Sequence, residues 1–208
     1  MTSLLIYGRY VMKRTALLSV FDKTGIVEFA EGLVELDWTI YASGGTAKTL
    51  LDAGLPVKDV SELAGGEAIL GHRVVTLSRE VYAGLLARSV EEDLLELERL
   101  GIPFIDLVCV DLYPLVDEIA SKDATPQSVN DKTDIGGPTM LRAAAKGQRI
   151  VISQPDQRQK VLNWLRAGEQ DAAKVRLRLA KDAVVSVADY ELWSARYLNG
   201  LDDKSFEF

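Results

Sequence analysis

The residues best suited to chemistry lie in one stretch, Thr133 to Lys146, which reads Thr-Asp-Ile-Gly-Gly-Pro-Thr-Met-Leu-Arg-Ala-Ala-Ala-Lys. Two glycines and a proline before a run of helix formers predict a tight turn that leads directly into a helix. The unpaired amides of such a helix start can hold an anion, and Asp134 beside them can act as an acid or a base. An ordinary surface helix with a solvated basic face explains the same spacing, so both interpretations stay open.

Two further polar turns follow predicted strands. The apolar run from Ala16 to Val20 is typical of a strand covered on both faces, and it ends at Phe21-Asp22-Lys23-Thr24. A second strand, Trp38 to Ala42, runs into Ser43-Gly44-Gly45-Thr46, which opens another helix. Because ligands bind at the carboxyl edge of parallel sheets, both turns are expected to face one crevice. A plain strand-to-helix turn is the alternative, and neither turn matches the dinucleotide fingerprint or the phosphate loop of nucleotide hydrolases.

The composition excludes several classes of protein. Of 208 residues, 48% are hydrophobic and 26% are charged, which is typical of a soluble globular domain. A net charge of -7 argues against a nucleic-acid surface but leaves small anions as ligands. The chain has one cysteine and one histidine, which excludes an internal disulfide and argues against a zinc site. We expect a cytoplasmic protein with no metal, signal peptide or membrane span.

The remaining patterns predict one α/β domain with a helical C-terminal extension. Further strands are predicted at 57–60, 73–77, 104–112 and 149–153, and helices at 89–100 and 155–167, while 62–70 is ambiguous. Ser89 and Glu92 suggest a capping box at the first of these helices. Residues 172–198 predict one or two helices that clasp the outside. We expect an N-terminal extension over 1–12, with Met12 as an alternative start, a domain over 13–200 and a loose tail over 201–208.

Four motifs, in this order, resemble one family. They are Ala16-Leu-Leu-Ser-Val with Asp22-Lys-Thr-Gly, Ala42-Ser-Gly-Gly-Thr-Ala-Lys, Leu112-Tyr-Pro, and the stretch from Asp134 to Lys146. They are similar to the IMP cyclohydrolase domain, the N-terminal half of the bifunctional purine biosynthesis protein. The resemblance implies a methylglyoxal synthase-like, doubly wound parallel sheet. It also implies closure of formamidoimidazole carboxamide ribonucleotide to IMP with loss of water, without a cofactor, in a homodimer.

The resemblance also assigns roles to residues. Asp134, Tyr113 and Lys146 would serve the proton transfers, with amides near Ile135 and Gly136 holding the oxygen. The nucleotide would be held by Ser19, Lys23, Thr24, Ser43, Gly44, Gly45, Thr46, Arg73, Thr76 and Asp111. Tyr113 precedes a proline and is held extended, so its hydroxyl can project over the strand edge or pack under a loop. One tension is geometric, because the helix between Pro138 and Lys146 spans about 12 Å, so the lysine must reach back to meet the ligand of Asp134.

Several positions depart from the family's pattern. Val75 stands where the family has a lysine, Ser78 and Tyr82 replace histidines, Phe21 replaces a serine and Asp111 replaces an asparagine. Losing the lysine removes a charge able to stabilise an oxyanion, and the carboxylate favours a donor on the ligand. The sequence ends at Phe208, before the position of the family's formyltransferase domain, so we expect that activity to lie elsewhere or to be absent. Three hypotheses remain open: a stand-alone cyclohydrolase, a purine-nucleotide-binding relative with lost or altered chemistry, and a partner subunit of a separate formyltransferase.

Overall fold

The computed structural model describes residues 4–7, 10–66, 69–70 and 74–202. Its centre is a five-stranded parallel sheet in the order β5-β4-β3-β6-β7. The strands of this sheet are β3 (Thr15–Ser19), β4 (Thr39–Ala42), β5 (Val57–Asp59), β6 (Leu107–Val110) and β7 (Ile150–Ile152). A separate antiparallel pair joins β1 (Leu4–Tyr7) to β2 (Tyr10–Lys13). The doubly wound parallel sheet predicted from the sequence is confirmed.

Helices cover both faces of the sheet. They are α1 (Ile26–Glu35), α2 (Gly44–Asp52), α3 (Ser61–Ala64), α4 (Arg79–Leu86), α5 (Glu91–Leu100), α6 (Leu115–Ala120), α7 (Pro126–Lys132), α8 (Gly136–Lys146), α9 (Gln157–Arg166) and α10 (Ala172–Asp202). In β3, Ala16 and Leu18 pack into the core shared with α1, α2 and α9, while Leu17 packs into the core shared with α4, α5 and α8. All three are 0% exposed, which explains the unbroken apolar run in the sequence.

The helical C-terminal extension is one helix rather than two. α10 packs against α8, β7 and α6, and its buried side chains belong to the cores on both faces of the sheet. Its Tyr190 closes a small apolar cluster with Leu115 of α6 and Val129 of α7. Neither α6 nor α7 is predicted from the sequence, because both are short. The turn that opens α7 carries a capping box between Thr125 and Ser128.

Two local predictions are wrong. In the described part of 73–77 no strand forms: Val74 makes an isolated bridge with Ile69, and bends follow up to α4. The β-branched residues there satisfy strand propensity, but among the described residues no strand pairs with them. The capping box of Ser89 and Glu92 is also absent, because α5 begins after Val90 without a side-chain cap. Instead the carboxylate of Asp93 accepts hydrogen bonds from the amide and the guanidinium of Arg88.

The strand order decides where a ligand can bind. The chain moves outward from β3 through β4 to β5 and then returns to the other side of β3 to form β6 and β7. The switch of direction therefore lies between β3 and β6, where Ser19 is opposite Val110. In open α/β sheets this point opens a crevice at the carboxyl ends of the strands.

Candidate functional site

A cavity of about 560 Å³ occupies this crevice, within the usual size range of small-ligand sites. The turns after β3, after β4 and before α8 all line it, as the sequence predicts. Among the residues proposed from the sequence, those lining the cavity are Ser19, Lys23, Ser43, Gly44, Gly45, Thr46, Thr76, Asp111, Tyr113, Asp134 and Gly136. Seven further residues line the cavity but were not assigned to it from the sequence: Val20, Leu77, Lys48, Asp59, Val110, Gly137 and Met140.

Asp134 lies at the start of α8 and is held there from two sides. Its carboxylate accepts a hydrogen bond from the backbone amide of Gly137 at 3.2 Å. Its own backbone amide donates to the hydroxyl of Tyr190 at 2.6 Å, and that hydroxyl donates to the carbonyl of Lys132 at 3.2 Å. Burial raises the pKa of Asp134, and the amides at the helix start oppose the rise. A carboxyl with a raised pKa is suited to both taking and giving protons.

The opposite end of the cavity is polar and is built from β3, β4 and the start of α2. The hydroxyl of Ser43 donates to the hydroxyl of Ser19 at 2.5 Å. The buried Thr46 side chain accepts from the amide of Val20 at 3.0 Å and donates to its carbonyl at 3.1 Å. Thr46 therefore fixes the turn after β3 rather than presenting a free hydroxyl. The start of α2 faces the cavity between these groups and can bind an anion.

Two lysines line the cavity. Lys23 donates from its ammonium group to the carbonyls of Val20 and Phe21, and burial lowers its pKa. Lys48 is exposed and pairs with Asp52 at 2.7 Å. Lys23 lies in the turn after β3, which Thr46 of α2 holds, and Lys48 lies on α2, so the positive charge of the cavity belongs to its polar end.

Asp111 binds the protein rather than pointing freely into the cavity. Its carboxylate accepts from the backbone amides of Phe21 and Asp22 and from the guanidinium of Arg158. Arg158 also donates to the carbonyls of Thr24 and Asp22, the latter at 2.9 Å. The side chains of Arg158 and Asp111 are 3% and 10% exposed. Burial raises the pKa of Asp111, although the two amides and the guanidinium oppose it.

Arg158 was not predicted, although the sequence carries a signal. It shares the buried face of α9 with Val161, Leu162 and Leu165, at helical spacing. An arginine on a core-facing position implies a buried acidic partner, because an unpaired buried charge is very costly. The identity of that partner depends on the fold, since Asp111 lies 47 residues earlier.

The wall near Asp134 is mostly apolar. Val75, Leu77, Val110 and Met140 line it. The rings of Phe21 and Tyr113 lie 5.1 Å apart between their centroids and are 47% and 44% exposed. A flat, partly apolar ligand fits between a wall of this kind and an aromatic pair.

Two of the departures from the family's pattern do not line the cavity. Ser78 caps α4 by accepting from the amide of Val81 at 3.2 Å. Burial raises the pKa of Tyr82 to about 12, so it stays protonated. The altered residues that line the cavity are therefore Phe21, Val75 and Asp111.

Three residues proposed from the sequence lie elsewhere, and a fourth lies outside the described residues. Lys146 is exposed at the far end of α8 and lines another cavity with Arg88, Arg149 and Arg176. The straight helix keeps it away from Asp134, as the estimated span indicated. Ile135 is 62% exposed, and neither it nor Thr24 lines the cavity. Arg73 lies outside the described residues.

Neither a metal centre nor a membrane span is found in the described ranges. Within them, no three His, Cys, Asp or Glu side chains are grouped so as to hold a metal ion. The helices of the same ranges include none with the length and apolar character needed to cross a membrane.

Comparisons with known proteins relate this chain to a family, to curated relatives and to a solved structure. The sequence profile of the family described as MGS-like domain matches residues 25–139. The chain is 46% identical over 189 residues to the bifunctional purine biosynthesis protein PurH of two Desulfitobacterium hafniense strains, DSM 10664 / DCB-2 and Y51. This match covers 90% of the chain but 36% of each relative, so the chain spans about a third of their length. A solved structure titled "Crystal structure of ForH" has 38% sequence identity and a TM-score of 0.79, covering 89% of this chain and 97% of that one.

Proposed function

The chain belongs to the MGS-like domain family, and on this premise we propose that it is an IMP cyclohydrolase-type enzyme. It would close formamidoimidazole carboxamide ribonucleotide to IMP and release water. One observation carries the proposal: the start of α2, which can bind an anion, and the half-buried carboxyl of Asp134 open into the same cavity. A mononucleotide has the matching layout, with a phosphate at one end and a reactive base at the other.

The nucleotide would lie across the carboxyl edge of the sheet. Its phosphate would accept from the amides at the start of α2 and from Ser19 and Ser43, with Lys23 and Lys48 supplying charge. Its base would lie between the aromatic pair of Phe21 and Tyr113 and the apolar wall. This pose places the groups that react beside Asp134 and Thr76.

Ring closure requires two proton transfers. The carboxamide nitrogen attacks the formyl carbon, a C–N bond forms, and the carbonyl electron pair moves to the oxygen. Asp134 would take a proton from that nitrogen and return it to the oxygen. The formamido nitrogen would then give its proton, through the same carboxyl, to the hydroxyl group, which leaves as water while a C=N bond forms. We assign these transfers to Asp134 with the hydroxyl of Tyr113, and no contact with the base to Lys146, because it lies on another cavity.

The decisive experiment measures ring closure by wild type and by Asp134→Asn. The asparagine still accepts from the amide of Gly137 but cannot carry a proton, so we expect kcat to fall by at least about 100-fold. Thermal shift with IMP should remain close to that of wild type, because the phosphate end is unchanged. Asp131→Asn, an exposed change on α7, is the matched control and should leave kcat unchanged. Turnover by Asp134→Asn at the wild-type rate would refute the proposed role.

A second function follows from the apolar wall. Val75 lies on it beside Leu77 and Met140, so no lysine side chain is available there to stabilise an oxyanion. This observation favours a purine-nucleotide-binding relative with lost or altered chemistry. The same two assays separate the functions. Stabilisation by purine mononucleotides without measurable ring closure would support the binding protein and contradict the enzyme.

A further inference from the structure

A second cavity, of about 730 Å³, lies where α4 and α8 end and α10 begins. Four cationic side chains line it, Arg88, Lys146, Arg149 and Arg176, and none of the described residues around it is acidic. We call it the basic cavity. Because α8 begins at the candidate site and ends 11 residues later at Lys146, the two cavities lie about 16 Å apart along this helix. Arg149 directly precedes β7, so the basic cavity lies at the amino edge of the sheet.

Helix ends give a structural reason for two of the four cations. Lys146 lies in the last turn of α8. Arg149 donates from its guanidinium to the carbonyls of Leu85 at 2.9 Å and Gly84 at 3.3 Å, near the end of α4. Cations at these positions offset the partial negative charge of the helix end. Their presence alone therefore does not require a ligand.

Arg176 has no such reason for its position. It lies one turn from the start of α10, where the partial positive charge of the helix disfavours a cation. Its guanidinium is 4.0 Å from the carboxylate of Glu169, which already accepts two hydrogen bonds from Arg14. The Nε of Arg176 is buried and has no hydrogen-bond partner among the described residues. An anion at the exposed part of this guanidinium would compensate its charge.

Two further features strengthen the attraction for an anion. Lys146 is exposed and forms no ion pair within the described residues. Ala172 and Ala173 also line the cavity, and their amides have no partner inside the helix because they open α10. No acidic side chain lies in that first turn. The cavity thus combines two incompletely balanced cations with a helix start, all open to the same space.

The remaining two cations are fixed in place. Arg88 is 67% exposed and pairs with Asp93 at 2.7 Å. Arg149 is 3% exposed, and its guanidinium lies 3.8 Å from the centroid of the Phe104 ring. Both contribute positive charge without having to move. The rest of the lining is largely apolar, with Leu86, Ala87, Ala145, Ala172, Ala173, Leu177 and Ala180.

We propose that the basic cavity binds the phosphate group of a small organic phosphate, held between Lys146, Arg176 and the start of α10. A phosphate dianion matches two incompletely balanced cations, and arginine binds phosphate oxygens in pairs. The apolar lining would contact the organic part of the ligand. The basic cavity shares no lining residue with the candidate site. The proposal therefore does not depend on the proposed function.

The first test locates bound inorganic phosphate by heteronuclear NMR of the full chain, at constant ionic strength. We expect saturable shifts of the amides of Gly147, Ala172 and Ala173. Shifts at Gly44 and Gly45 would instead report phosphate at the candidate site, so the two sites are measured separately. Saturable shifts at Gly44 and Gly45 alone, or at neither site, would overturn the proposal.

The second test removes the two incompletely balanced cations one at a time. In Lys146→Met and in Arg176→Met, the dissociation constant of phosphate at the basic cavity should rise by about tenfold or more. Arg142→Met and Lys174→Met are the matched controls. They remove the same charge from exposed positions on the same two helices, outside the cavity lining, and should change this constant by less than about threefold.

These variants also separate a binding site from a general effect of charge. Because Lys146 is exposed, Lys146→Met should fold normally, and circular dichroism checks each variant. Its result stands even if Arg176→Met destabilises the fold. Equal losses in the cavity variants and in their controls would show that phosphate responds only to the charge of the surface, and would overturn the proposal.

The third test addresses the organic part of the ligand. Phenyl phosphate should bind the basic cavity more tightly than inorganic phosphate, because its ring can contact the apolar lining. Leu177→Asn should reduce this difference and leave the affinity for inorganic phosphate unchanged. If phenyl phosphate binds no more tightly than inorganic phosphate, the cavity takes the free ion and the assignment to an organic phosphate is wrong.

Discussion

The hydrogen bonds of Asp111 lead to a prediction that tests whether this carboxylate holds the protein together rather than contacting a ligand. The carboxylate has three donors from the protein, two amides of the turn after β3 and the guanidinium of Arg158. In Asp111→Asn, the amide oxygen can still accept from the turn, but the NH₂ group faces the guanidinium as donor against donor. Arg158 is then a buried cation without its carboxylate. Breaking a buried pair in this way costs about 3 kcal/mol, or roughly 6–12 °C in Tm for a chain of this size.

The assay is urea unfolding combined with a double-mutant cycle. Arg158→Met removes the guanidinium while keeping much of the side-chain volume, and it should also destabilise. The double variant should be less destabilised than the sum of the single variants by about 2 kcal/mol, because each loses the same contact. Asp156→Asn supplies the control, since its pair with Lys160 has side chains 68% and 72% exposed. It should change stability by less than about 1 kcal/mol.

Kinetics separate this positioning role from direct contact with a ligand. The turn held by Asp111 carries Lys23 and Phe21, both of which the proposed function assigns to binding, so KM for the nucleotide should rise before kcat falls. The reasoning is refuted if Asp111→Asn is as stable as wild type but changes which nucleotide is bound. That result would mean that the carboxylate contacts the ligand, as the sequence alone suggested.

Three further variants test the surroundings of the site. In Gly137→Ala, the added Cβ would lie 2.3 Å from the carboxylate of Asp134, so the carboxyl must move and kcat should fall by about 100-fold; unchanged kinetics would contradict this placement. Tyr190→Phe removes the hydroxyl bonded to the Asp134 amide, so unfolding experiments should show a loss of about 1–2 kcal/mol, with kcat affected more than KM. The free energy of unfolding of Asp106→Asn, relative to that of wild type, should rise by roughly 1–2 kcal/mol from pH 5 to pH 7.5, as measured by urea unfolding. The reason is that burial raises the pKa of Asp106 from 3.8 to about 6. In this pH range the native state therefore binds more protons than the unfolded state, and the stability of wild type falls as pH rises. Equal pH profiles for the two proteins would contradict this.

The central sheet could be predicted from the sequence because each strand is marked by its own residues. Each central strand is a short run of apolar residues that must be covered on both faces, and the polar turns that follow mark the carboxyl edge. The same reasoning predicted a strand in the segment before α4, and that prediction is wrong. Val74, Val75 and Thr76 favour extended backbone, but a strand also needs a partner, and partners are set by topology.

The site was harder to predict because side-chain roles depend on distant donors. Thr46 and Asp111 were expected to contact a ligand, yet both bind the turn after β3. The sequence alone suggests that a hydroxyl or carboxylate after a strand is free to hydrogen-bond a ligand. In the fold, that capacity is taken by backbone groups of the neighbouring loop, and buried polar groups rarely leave it unused.

The fold also connects two departures that look independent in the sequence. Phe21 donates its amide to Asp111, and its ring packs against Tyr113. A change at either position therefore alters the same turn, and through it the aromatic side of the cavity. Val75 lies on the wall with Met140 and belongs to neither contact. The departures from the family's pattern therefore fall in two separate parts of the cavity. In the proposed enzyme, the first part would hold the base and the second would lie near the reacting atoms, so we expect substitutions in the two parts to affect binding and catalysis independently.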